Sequence, residues 1–122
     1  MTQYNLNDIF IPDSNRELTR NEYILTRLND NLVKYGYELY CIYQTEDGET
    51  RTSDSDTLVL GGMLYLAEFS RWWRTSLIKT IDIQEKSITF TTENSTYKLE
   101  KRFTYRDNEQ KDYDVTQLKD TE

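Results

Sequence analysis

Two hydrophobic periods divide this chain near residue 36. Before it, Ile24, Leu25, Leu28, Leu32 and Tyr35 recur at helical spacing on one face. Thr19 and Glu22 make a Thr-x-x-Glu capping box at the front, and Gly36 stands where a C-cap glycine belongs. The spacing predicts a helix over residues 19–35. From Tyr37 the period changes to two. Tyr37, Leu39, Cys41 and Tyr43 share one face, with Glu38, Tyr40, Ile42 and Gln44 on the other, which predicts a strand. Asp47-Gly48 signals a hairpin turn, then a short polar return strand from Glu49 to Thr52 and a loop over Ser53–Asp56.

Thr57 to Leu60 is apolar and β-capable, an edge strand able to pair two copies of the chain. Gly61-Gly62 breaks it. Residues 63–69 fit either period; two glycines make a poor helix interior, so a strand is favoured. Trp72 to Ile83 reads as a long strand bent near Arg74-Thr75-Ser76. Turns at Gln84-Glu85 and Glu93-Asn94-Ser95 separate it from Lys86–Thr92 and Thr96–Phe103, where Tyr97, Leu99 and Lys101 share one side. Ahead of all this, residues 1–13 form a polar arm carrying the apolar knot Ile9-Phe10-Ile11-Pro12. The expected architecture is α+β: an N-terminal helix packed on a strongly bent antiparallel sheet of five or six strands, curled towards a small barrel. One domain spans 1–105, followed by an acidic tail over 106–122 with six acids against three bases.

The 28-residue run from Trp72 to Leu99 concentrates large contact residues. Neighbours on a strand face opposite sides, so one of Trp72 and Trp73 points inward and the other is either exposed or covered by the predicted helix. Arg71 and Arg74 flank them. Arginine beside an exposed tryptophan grips carboxylates, stacks on bases or anchors a protein interface.

Composition narrows the chemistry. The chain has no histidine, which removes the commonest general base and metal ligand. Its single cysteine, Cys41, sits in an apolar strand; it makes no intrachain disulfide and fits a reducing cytoplasm. No phosphate-cradling glycine loop is present. No apolar run is long enough for a membrane helix, and residues 1–5 carry no secretory pattern. Catalytic residues, cofactor and metal are therefore all expected to be none.

Charge is segregated. The net charge is −7. Glu46, Asp47, Glu49, Asp54 and Asp56 against Arg51 give the 46–56 segment −4. The 71–102 segment carries +3, from Arg71, Arg74, Lys79, Lys86, Lys98, Lys101 and Arg102 against Asp82, Glu85, Glu93 and Glu100. The acidic loop reads as a solvated turn, as a contact patch imitating a nucleic-acid backbone, or as an adventitious metal site, although no glutamate lies twelve residues on from Asp54 to close a calcium loop.

The pattern Trp-x-Thr-Ser-x-Ile, a turn, then Thr-x-Asn-Ser-x-Tyr-x-Leu is carried by Trp73, Thr75, Ser76, Ile78, Thr92, Asn94, Ser95, Tyr97 and Leu99. It resembles a segment of small proteins from phages and mobile elements, over about a quarter of the chain. Thr75-Ser76 bonding back to the Asn94-Ser95 turn makes it a folding signature. Small size, acidity and lack of catalytic side chains are also similar to anti-CRISPR proteins. That resemblance implies a non-enzymatic counter-defence inhibitor in the host cytoplasm, monomer or homodimer. Its partner would be a host nuclease such as a CRISPR-associated effector. Glu46, Asp47, Glu49, Asp54 and Asp56, together with the acidic tail, would face a basic groove, and Arg71, Trp72 and Arg74 would anchor the interface. The alternative is a single-stranded nucleic-acid binder using the basic, aromatic 71–102 sheet as a stacking platform.

Overall fold

The computed structural model describes residues 1–106. The acidic tail expected over 106–122 lies outside the described residues from residue 107 onwards. Ten strands follow in order: β1 (Gln3–Asn5), β2 (Leu18–Arg27), β3 (Leu32–Gly36), β4 (Glu38–Gln44), β5 (Thr50–Thr52), β6 (Thr57–Val59), β7 (Met63–Ala67), β8 (Trp72–Ile83), β9 (Ile88–Thr92) and β10 (Thr96–Tyr105). Among the described residues there is no α-helix, only a 3-10 turn at Leu6–Asp8. The α+β expectation is therefore corrected to an all-β fold.

The predicted helix over 19–35 is a β-hairpin, β2–β3. Tyr23 and Leu25 point inward, and the β-branched or aromatic Ile24, Thr26, Val33 and Tyr35 suit a pleated surface. Asn29, Asp30 and Asn31 form the turn. Asn31 adopts φ +59°, a left-handed conformation that asparagine tolerates, and the Asp30 carboxylate accepts from Leu32 N–H at 3.2 Å. Asn29 Oδ1 accepts from Thr96 N–H at 2.8 Å and ties the turn to β10. The capping-box residues are used across strands: the Thr19 hydroxyl donates to Thr104 O at 3.1 Å, and Glu22 pairs with Arg102.

Eight strands make one antiparallel sheet in the order β3-β2-β10-β9-β8-β7-β4-β5. Only Tyr37 separates β3 from β4, yet β3 pairs with β2 and β4 pairs with β7. One bent strand thus joins β3, at one end of the order, to β4, one place from the other end, and the sheet closes on itself there. Tyr37 N–H donates to Ala67 O at 3.2 Å at that seam. Gly36 has no room for a side chain: a Cβ would lie 2.6 Å from Ala67 O and from Leu66. A second corner lies in β8, which pairs with β7 up to Leu77 and with β9 from Ile78. Gly61 N–H donates to Ile78 O, and Ile78 N–H donates to Gly62 O, both at 2.9 Å.

Inside the closed sheet lie Tyr23, Leu25, Leu39, Cys41, Leu64, Leu66, Ile78, Ile88, Phe90, Tyr97 and Leu99. The Thr57–Leu60 segment is not a free edge. Its strand β6 pairs with β1, and Thr57–Val59 are buried. Val59 N–H reaches Cys41 Sγ at 3.4 Å, so β6 covers the core over β4, together with Leu6 and Phe10. Within the Trp72–Leu99 run, Thr75 does not bond back to the Asn94-Ser95 turn. Its buried hydroxyl accepts from Leu64 N–H at 3.2 Å; the turn is held by Thr92 Oγ1.

Replacing Gly36 by alanine should cost about 1–3 kcal/mol in urea unfolding, because the seam must open to admit a methyl group. A cost near zero would contradict sheet closure. Burial pushes the Cys41 thiol up to about 11, with Val59 N–H opposing. A thiol reagent at pH 8 should therefore label Cys41 only as fast as the sheet opens, and rapid labelling of native protein would contradict its burial.

Candidate functional site

The face of the sheet turned away from the core, on β4, β7 and β8, carries an aromatic row. Tyr40 and Tyr65 are cross-strand partners on β4 and β7, with rings stacked at 5.5 Å. Trp72 packs edge-on against Tyr40 at 5.0 Å. Arg74 stands opposite Tyr65 on β8 and is exposed. Alternation along β8 separates the tryptophans: Trp72 is 47% exposed, whereas Trp73 meets Tyr97 edge-on at 5.8 Å on the inner side.

The row ends at the β7–β8 turn, where Glu68 N–H donates to Arg71 O at 2.8 Å. Phe69 sits at its tip and is 98% exposed. Glu68 holds this turn to the body of the protein: Lys34 on β3 lies 3.4 Å from one carboxylate oxygen and Arg71 3.4 Å from the other. The Lys34 contact is a charge pair without hydrogen-bond alignment, since Glu68 Oε1 has no hydrogen-bond partner. The large apolar rings of Phe69 and Trp72 are thus displayed at this hairpin end.

The expected acidic residues are split. Glu46, Asp47 and Glu49 belong to the β4–β5 turn and are exposed. Glu49 is paired with Arg51 at 2.7 Å, and Asp47 accepts from the Thr45 hydroxyl, which lowers its pKa. Asp54 is exposed in the following loop. Asp56 is a structural residue. It adopts φ +60° and accepts from the Tyr23 hydroxyl at 2.6 Å. Burial first, and then Asp56, push the Tyr23 phenol well above its usual range.

Arg71 and Trp72 lie with Phe69 at one end of this sheet region. The β4–β5 turn lies at the other, beyond Gln44, while Ala67 and Trp72 are level with Glu38. Six residues of strand separate the two, about 20 Å at 3.3 Å per residue. The structure therefore does not gather the acids and the tryptophan into one cluster.

The cations of the 71–102 segment are largely engaged. Besides Arg71, Lys79 pairs with Glu93, Lys98 with Glu100 and Arg102 with Glu22. Lys101 turns inward, with Nζ 4.7 Å from the Tyr23 ring centroid and 5.5 Å from that of Phe103. Sequence reasoning missed Tyr40, Tyr65 and Phe69 as surface residues. It also missed Lys101, although its place in the inward stripe after Tyr97 and Leu99 marked it. Among the described residues, no three acids or cysteines come together to hold a metal ion, and no helix is long and apolar enough to cross a membrane.

No family model matches the chain, and neither a curated protein nor a solved structure matches it.

Removing the Asp56 carboxylate (Asp56→Ala) should cost about 1–3 kcal/mol, through the orphaned Tyr23 hydroxyl. Glu46→Ala and Asp54→Ala should each stay within about 0.5 kcal/mol. Chemical denaturation of the three variants checks this division, and equal costs would contradict it.

Proposed function

We propose that this protein acts by binding another protein, through the aromatic face that runs from Phe69 and Trp72 to Tyr40 and Tyr65. The observation carrying this reading is Phe69, 98% exposed at the tip of a turn that Lys34 and Arg71 brace through Glu68. Burying an exposed phenylalanine and tryptophan against a partner is worth several kcal/mol.

The partner class we favour is a host nuclease, such as a CRISPR-associated effector in the host cytoplasm, with the protein as a counter-defence inhibitor. Charge supports that choice: Glu46, Asp47 and Asp54 are exposed and suit a basic groove, and Glu49 beside them is paired with Arg51. A standard interface takes about 800 Å² from each partner, a disc about 30 Å across. One footprint of that size reaches both the aromatic end and the acidic turn, about 20 Å apart.

The nucleic-acid reading is weaker. Affinity for a phosphate backbone comes from free lysine and arginine. Arg71, Lys79, Lys98 and Arg102 already face carboxylates, and the net charge is −7.

Capture from a host lysate with the tagged protein, followed by a cleavage assay on the recovered partner, tests the proposal. The wild type should retain and inhibit a nuclease. The double variant Phe69→Ser, Trp72→Ala should weaken binding at least about thirtyfold while keeping its melting temperature within a few degrees. Charge reversal of Glu46, Asp47, Glu49 and Asp54 should weaken it further in low salt. Undiminished binding by the double variant, or recovery of oligonucleotides alone, would overturn the proposal.

A further inference from the structure

A cleft of about 440 Å³ lies away from the aromatic face, between the N-terminal arm, the β8–β9 turn and the end of β10. Its volume falls in the range of about 300–1,000 Å³ typical of small-molecule sites. Ile9, Phe10, Ile11 and Phe103 supply apolar walls, and Lys101 enters from β10.

Lys101 is half-buried, and the groups that meet it are neutral. Its ammonium donates to Asn7 Oδ1 at 3.3 Å and to the Tyr23 hydroxyl oxygen at 3.4 Å. The Tyr23 and Phe103 rings flank it. Asp56 accepts the Tyr23 hydroxyl proton and acts on Lys101 through its charge, without a direct hydrogen bond to it. Among the described residues, no carboxylate forms an ion pair with Lys101. Two further acids line the cleft, Asp13 and Glu85. Asp13 is engaged at the rim: Tyr105 donates to its carboxylate at 2.9 Å and accepts from its N–H at 3.0 Å. Glu85 and its neighbour Lys86 both line the cleft.

We propose that this cleft binds a small carboxylate with an apolar or aromatic body, the carboxylate on Lys101 and the body against Phe10 and Phe103. The physical basis is an incomplete charge balance. A partly desolvated ammonium with neutral direct partners is costly, and a carboxylate completes it with charge-assisted hydrogen bonds. Burial pulls the Lys101 ammonium below its ordinary value while the Asp56 carboxylate opposes, as expected for a cation lacking a direct counter-ion. Lys101 already stands over one face of the Tyr23 ring and one face of the Phe103 ring.

The test compares 4-phenylbutyrate with 4-phenylbutanol, which keeps the body and removes the charge. Each is titrated into the full chain and followed by amide chemical shifts. Phenylbutyrate should give saturable shifts at residues 9–11 and 101–105, and the alcohol should bind at least about tenfold more weakly. Lys101→Met should bring phenylbutyrate down to the affinity of the alcohol and leave the alcohol unchanged. Lys86→Met should change either affinity less than threefold. The wild-type comparison stands even if the Lys101 variant is unstable. Equal affinities for the two probes, shifts that do not saturate, or a preference that survives Lys101→Met and fails in Lys86→Met would each overturn the assignment.

Discussion

The passage of Gly36 past the backbone of Ala67 holds this protein's architecture together. At that point one strand leaves β2 and joins β7, which brings β3, at one end of the eight-strand order, beside β7 near the other. Any side chain at residue 36 would meet Ala67 O and Leu66 at 2.6 Å. Closure turns a period-two pattern into an inside and an outside. Tyr23, Leu39, Phe90 and Leu99 fill the interior, while Tyr40, Tyr65 and Trp72 are left on the outer surface.

That division connects the core to the proposed activity. A closed sheet does not bend easily, so the β7–β8 turn presents Phe69 from a fixed base. Glu68 reinforces it by reaching both β3 and Arg71. A thin domain rich in tyrosine can therefore satisfy its interior and still display aromatic surface. The interior also contains a polar thread, from Asp56 through Tyr23 to Lys101, which ends at the cleft beside Phe10 and Phe103. One sheet thus displays two different chemistries, an apolar anchor on one side and a half-buried cation on another.

Much of the strand pattern was legible because alternation was strong. Residues 37–44 and the stretch from Trp72 to Phe103 show it, and the turns at Asp47-Gly48 and Asn94-Ser95 announce themselves by residue type. Residues 19–35 misled because Ile24, Leu25, Leu28, Leu32 and Tyr35 satisfy a helical period while also spanning two strands and a turn. The discriminating signal was Asn29-Asp30-Asn31, three turn-forming residues in the middle of the supposed helix. Thr19 and Glu22 matched a local capping motif, but long-range partners on β10 claimed both. The same limit applies to the site. Asp56 looks like its acidic neighbours in sequence, and only its contact with Tyr23, 33 residues away, marks it as structural.

Amide hydrogen exchange at Tyr37, read residue by residue in the native protein, tests closure most directly. Its N–H points at Ala67 O across the seam. If the sheet is closed, this amide exchanges only through the same global opening that frees the core amides of Leu25 and Leu99. Exchange at Tyr37 orders of magnitude faster than at those two would mean an open sheet, with no fixed base for the aromatic surface.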